Sequence, residues 1–154
     1  MIFTMKSWII GIIVLSMLTN SLAVTIKVGV INMEWSREPF DIRRLGPAID
    51  IAVEDIIVDY NITFDTIKRT YKGLCPYEPP VGILSEMYYK HNIQALIGPA
   101  CSQGVQSAGR LSAYLGLPIV TGLGDLVIRK QGFDEYATLT RLSFNIQKLE
   151  CMRF

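Results

Sequence analysis

The sequence predicts an exported α/β domain built on an open parallel sheet with helices on both faces. Three observations carry that expectation: an apolar N-terminal leader, short β-branched runs alternating with longer helical patterns, and cysteines that fall just after strands. The composition agrees. Of 154 residues 50% are hydrophobic and 19% charged, which excludes disorder as the main description. With Lys+Arg at 15 and Asp+Glu at 14 there is no basic excess to neutralise phosphates, so nucleic acid is not an expected partner.

The leader has the parts of a secretory signal peptide over residues 1–23. Lys6 supplies the positive region, residues 8–18 (WIIGIIVLSML) the apolar region, and Ser21-Leu22-Ala23 the small residues of a cleavage site. An uncleaved anchor is the alternative, but this run is well short of the roughly 20 apolar residues that span a bilayer. Export implies an oxidising compartment, so Cys75, Cys101 and Cys151 are first read as disulfide material, with one left over. Asn61-Ile62-Thr63 is an N-glycosylation acceptor and requires a surface position.

Element by element, residues 24–31 (VTIKVGVI) form the first strand. A helix follows over 45–60, where Leu45, Ala48, Ile49, Ala52, Val53, Ile56 and Ile57 recur at three and four residues as a core-facing stripe. Asp50, Glu54 and Asp59 are left towards water. Pro47 suits the first turn, which needs no backbone donor there. The second strand, 64–71, carries Asp65, Lys68 and Arg69 and leads to a turn-rich stretch at 75–80. A second helix runs 81–91, a third strand 95–97 and a third helix 103–115. Strands at 117–121 and 137–142 complete the pattern around a polar loop at 130–134. In such sheets ligands gather outside the carboxyl ends of the strands. That places 98–102 and 121–125 on the edge of interest.

The catalytic readings find little support. There is no G-x-G-x-x-G after the first strand, no Walker loop, no C-x-x-C and no H-E-x-x-H. His91, the single histidine, falls at a helix end before Asn92, where it complements the helix dipole and asparagine suits a left-handed cap. Gly122-Leu123-Gly124 is better explained as a turn than as a phosphate cradle. No catalytic residue and no metal ligand are therefore assigned. Cys75 and Cys101 each follow a strand and so lie on one sheet edge, where they can pair; two unpaired thiols are the alternative.

These residues resemble the extracellular ligand-binding region of natriuretic peptide receptors and related receptor guanylyl cyclases, which have the type I periplasmic-binding-protein fold. The matching stretches are Leu45-Gly46-Pro47-Ala48-Ile49, Ile97-Gly98-Pro99-Ala100-Cys101, Ala108-Gly109-Arg110-Leu111, Leu117-Pro118-Ile119-Val120-Thr121 and Thr138-Leu139-Thr140-Arg141. The Cys75/Cys101 spacing is similar to that family's first disulfide loop. Two further stretches, Phe40-Asp41-Ile42-Arg43-Arg44 and Gly122-Leu123-Gly124-Asp125-Leu126, look more like the invertebrate receptor cyclases.

The resemblance implies that residues 24–149 are an incomplete first lobe and that 150–154 are a divergent end. The cyclase domain of such receptors has no counterpart here, so no enzyme activity is expected. It further implies an extracellular peptide or other signal as ligand, with Arg110 and Gln103 on the carboxyl edge, and a homodimer contact at Tyr89. A chloride ion is implied on the backbone N–H groups of Ala100 and Cys101, with a hydroxyl before the first cysteine; Thr70 lies near that position. The alternative is an amino-acid or other small-molecule receptor of the same fold. Ser102 and Thr121 would then hydrogen-bond a carboxylate, although Cys101 sits where such receptors present successive hydroxyls. An incomplete lobe is expected to leave apolar surface uncovered.

Overall fold

The computed structural model describes residues 24–34, 40–73, 75–122, 124 and 135–142. The leader, the loop at 130–134, Cys151 and the divergent end lie outside the described residues. Five strands, β1 (Val24–Met33), β2 (Ile62–Tyr71), β3 (Ala95–Ile97), β4 (Ile119–Thr121) and β5 (Leu139–Arg141), form one all-parallel sheet in the order β2-β1-β3-β4-β5. Helices α1 (Ile42–Tyr60), α2 (Glu78–His91) and α3 (Ser102–Leu115) make the crossovers.

Right-handed crossovers fix the face on which each helix lies. The chain steps from β1 outward to β2, then back past β1 to β3 and β4, so α1 covers one face and α2 with α3 the other. Side chains of neighbouring β1 residues confirm this alternation. Val28 lines the space beneath α1, whereas a Cβ on Gly29 would press on Met87 of α2 and on Ile93.

The two faces are filled unequally. Beneath α2 and α3 lies the contiguous core, in which Ile31, Leu84, Met87, Leu96, Val105, Ala108 and Ile119 are fully buried. On the other face, Gly46 is the one buried residue of α1. The predicted stripe does face the sheet, but Leu45, Ile49, Val53 and Ile56 are half-buried, and Ala48, Ala52 and Ile57 are exposed. An open apolar crevice of about 160 Å³ separates α1 from the sheet, lined by Val28, Ile49, Ala52, Val53, Ile56, Phe64, Thr66 and Ile97. The cause is geometric, since α1 packs on the edge strand β2 and no described element covers the rest of the sheet on that face.

The start of α1 corrects one expectation. The helix begins at Ile42, so Pro47 lies inside it rather than in its first turn. Asp41 sets this earlier start: its buried carboxylate accepts from the Arg43 backbone N–H at 2.9 Å and from both Nε and Nη2 of the Arg43 side chain. Further along, Lys68 on β2 donates to the Gly46 carbonyl and pairs with Asp50, tying the helix to the sheet edge. At the other ends, Asn61, Asn92 and Gly116 take left-handed cap conformations. No described helix is long and apolar enough to cross a membrane.

Tyr71 closes β2 in the core at 5% exposure, with a hydroxyl that has no hydrogen-bond partner. Burial pushes its pKa up to about 12. The folded state therefore keeps a proton that the unfolded chain releases near pH 10, and stability falls as pH rises from there through 12. Tyr71→Phe is expected to raise stability by about 1 kcal/mol and to remove that alkaline loss, read from denaturant midpoints at pH 7 and pH 11.

Candidate functional site

The carboxyl ends of all five strands point to one edge because the sheet is parallel throughout. At its centre, β3 ends in Gly98-Pro99-Ala100-Cys101, and α3 starts at once from Cys101. Cys101 is joined to Cys75 by a disulfide with Cα atoms 5.5 Å apart, as the sequence predicts. The bond ties the β2–α2 connection to the α3 N-terminus. Because the Cys101 side chain makes no cap hydrogen bond, it leaves the N–H groups of the first turn uncapped. Those groups, and the positive end of the helix dipole, favour an anion.

The predicted site residues separate on this frame. Ser102 and Gln103 are the first two residues of α3 and half-buried, so they stand on the carboxyl edge. Thr121 ends β4 nearby but is 2% exposed, and its hydroxyl donates to the Pro99 carbonyl at 2.6 Å. It therefore positions the β3–α3 loop. Arg110 departs from the expected edge position: it lies two turns down α3, about 12 Å along the axis from Ser102 at 1.5 Å per residue. Its Nε donates to Glu135 at 2.7 Å, and its guanidinium lies 5.6 Å from the Tyr136 ring centroid. That arrangement clamps α3 to the segment leading into β5.

The remaining predicted positions are dispersed. Ala100 and Cys101 are buried. The Thr70 hydroxyl donates to Glu34 at 2.9 Å, so the chloride arrangement implied by the resemblance lacks a hydroxyl offered by Thr70. Tyr89 is 67% exposed on α2, whereas its neighbour Tyr88 packs against the core, with the two rings in a T at 5.1 Å. Asn61 is exposed, as a glycan acceptor must be. Among the described residues, no group of three or more His, Cys, Asp or Glu side chains could hold a metal ion.

Two features of the edge escape sequence reasoning. Asn32 is 1% exposed near the end of β1, and its Oδ1 has no hydrogen-bond partner. The only hint in the sequence is a polar residue closing an otherwise apolar run. The second lies beyond the end of β4, where the Phe40 ring comes up to Gly122 and Arg141 of β5 donates to the Gly124 carbonyl at 2.7 Å.

No protein-family model matches the chain. Solved structures do. The substrate-binding protein LivJ of a branched-chain amino acid transporter from Streptococcus pneumoniae, in complex with isoleucine, is similar at 18% identity and TM-score 0.56 over 79% of the chain. A solute-binding protein from R. palustris in complex with benzoate is similar at 16% identity and TM-score 0.58 over 80% of the chain. An ABC transporter substrate-binding protein from Desulfitobacterium hafniense in complex with Leu gives 16% identity and TM-score 0.55 over 76%. The fold is that of the type I periplasmic-binding proteins, in part. The chain covers 34%, 34% and 33% of those three proteins, about a third of each, and so supplies a portion of their architecture.

Proposed function

We propose that the chain forms one wall of an extracellular ligand cleft, and that the ligand is a small acid whose carboxylate rests on the Ser102 hydroxyl and the first-turn N–H groups of α3. The observation that carries this is the uncapped start of α3, held at the carboxyl edge by the Cys75–Cys101 disulfide and by the Thr121–Pro99 hydrogen bond. Proteins similar in fold hold isoleucine, leucine and benzoate, which share that carboxylate. Export through the secretory pathway, with a glycan on Asn61, belongs to the same proposal.

A single wall binds weakly. Leucine, isoleucine, benzoate and 4-hydroxybenzoate, titrated into the chain recovered from a secretory host, are expected to shift the amide resonances of Ser102, Gln103 and Gly104. Ser102→Ala is expected to weaken the best ligand about tenfold, the effect of one charge-assisted hydrogen bond. No shift with any of them at roughly 10 mM would discard this reading.

One observation favours a second reading, the ectodomain of a receptor guanylyl cyclase-like protein with a peptide ligand. Cys101 is buried in a disulfide, so it offers no side-chain group to a small ligand. Saturable shifts with a natriuretic-type cyclic peptide, and none with the four acids, would favour it.

A further inference from the structure

β2 lies at one end of the sheet, is ten residues long, and pairs along its whole length with β1 on one side. No described strand pairs with its other side. The direction of its backbone groups follows from two hydrogen bonds. The Tyr71 carbonyl accepts from the Glu34 N–H, so Tyr71, Arg69, Ile67, Asp65 and Thr63 turn their backbone groups towards β1. The alternate residues, Ile62, Phe64, Thr66, Lys68 and Thr70, turn theirs outward. In keeping with this, the Lys68 carbonyl is reached at 3.1 Å by the Arg69 guanidinium.

Charged residues on an edge strand ordinarily discourage pairing. Here their signs do the reverse, because Asp65 and Arg69 are both exposed and sit symmetrically about Ile67. An antiparallel ladder joins residues whose outward groups face each other, so only even-numbered residues can form its hydrogen-bonded pairs. Among those registers, centring on Asp65 or on Lys68 sets like charges opposite each other. Centring on Thr66 sets Asp65 against Ile67, and centring on Ile67 sets Asp65 against Arg69 twice. Thr66 then exchanges hydrogen bonds with Lys68, and Phe64 with Thr70, while Ile67 meets its own copy across the two-fold axis.

We propose that the free edge of β2 is a docking surface for a second copy of this chain, paired antiparallel about Ile67 to make one continuous sheet. In the pair, Arg69 leaves the Lys68 carbonyl to the Thr66 N–H of the second copy and turns to its Asp65. Asn61 falls opposite Gly73, past the ends of the ladder, so a glycan there flanks the interface. This inference does not depend on which ligand the carboxyl edge takes.

The test is sedimentation of the secreted chain in a Cys151→Ser background, with circular dichroism checking each variant's fold. A reversible dimer is expected. Asp65→Arg and Arg69→Asp each convert two attractive pairs into two repulsive ones and are expected to raise the dimer Kd about tenfold or more. The double variant Asp65→Arg with Arg69→Asp is expected to restore it. Ile67→Cys is expected to cross-link to its own copy under mild oxidation, since non-hydrogen-bonded pairs bring Cα atoms to about 4.5 Å. A chain monomeric at all concentrations overturns the proposal, as does a dimer indifferent to both charge reversals. A dimer lost only in Tyr89→Arg overturns it as well and moves the contact to α2.

Discussion

Gly98→Ala is expected to be the most damaging single substitution in the described fold, costing at least about 4 kcal/mol and preventing recovery of a cooperatively folded chain. Gly98 has a φ of +86°, in the left-handed region that side chains rarely adopt. Holding alanine there costs about 1–3 kcal/mol on conformation alone. The larger cost is steric: an added Cβ would collide with the Ile31 carbonyl oxygen, closer than any real Cβ approaches, and would lie 3.3 Å from Asn32 Oδ1. Neither neighbour can yield, because Ile31 is completely buried in a strand paired on both sides. Gly82 is the control, as a helical residue with nothing within 4 Å of an added Cβ. Gly82→Ala is expected to stabilise by about 0.5–1 kcal/mol. Secreted yield and denaturant midpoints of the two variants check both statements. A Gly98→Ala chain with the parental midpoint would mean that β1 and the β3–α3 loop do not approach as described.

Much of this architecture is legible because two periods alternate cleanly along the chain. Apolar recurrence at three and four residues marks each helix, β-branched runs mark β1 and β4, and a short apolar run marks β3. The pairing of Cys75 with Cys101 is legible for a topological reason, since in a parallel sheet every strand ends on the same edge. What stays hidden depends on strand order. Asp65, Lys68 and Arg69 look out of place in a strand until β2 is seen to be the edge, where Asp65 and Arg69 face solvent and Lys68 reaches Asp50.

Position within an element is equally silent. The α1 stripe has the right period to be core, yet it is half-covered because its helix packs on the edge strand β2 and leaves an open crevice over the strands beside it. Arg110 shares a helix with Ser102, but a distance along the helix axis separates it from the edge. Thr121 is a carboxyl-edge hydroxyl by sequence and a buried donor to Pro99 in the fold, a difference that only the loop's path decides.

Removing the disulfide is expected to cost about 3.5 kcal/mol, the chain-entropy value for a sequence separation of 26 residues. Three features point to a loss of this size. The bond closes a loop containing all of α2 and β3, so the reduced unfolded chain gains freedom over a large part of the core-forming sequence. Cys101 lies in the buried cluster, with Cys75 packed against it. Cys75 also has a φ of +131°, strain that a freed loop can shed, which keeps the loss from exceeding this value. Small domains have only about 5–15 kcal/mol in total. Here α1 buries none of its apolar side chains fully, so the reserve beyond the α2–α3 face is small. The double variant Cys75→Ala with Cys101→Ala isolates the cross-link, because alanine retains the Cβ and adds no buried thiol. Its unfolding free energy, from the denaturant midpoint and slope, should fall by the stated amount, and an apolar dye should bind as α1 loosens over Val28 and Phe64. Parental midpoints in the double variant, or peptide mapping that finds Cys75 linked to Cys151, would show that the sheet edge is not held together at Cys101.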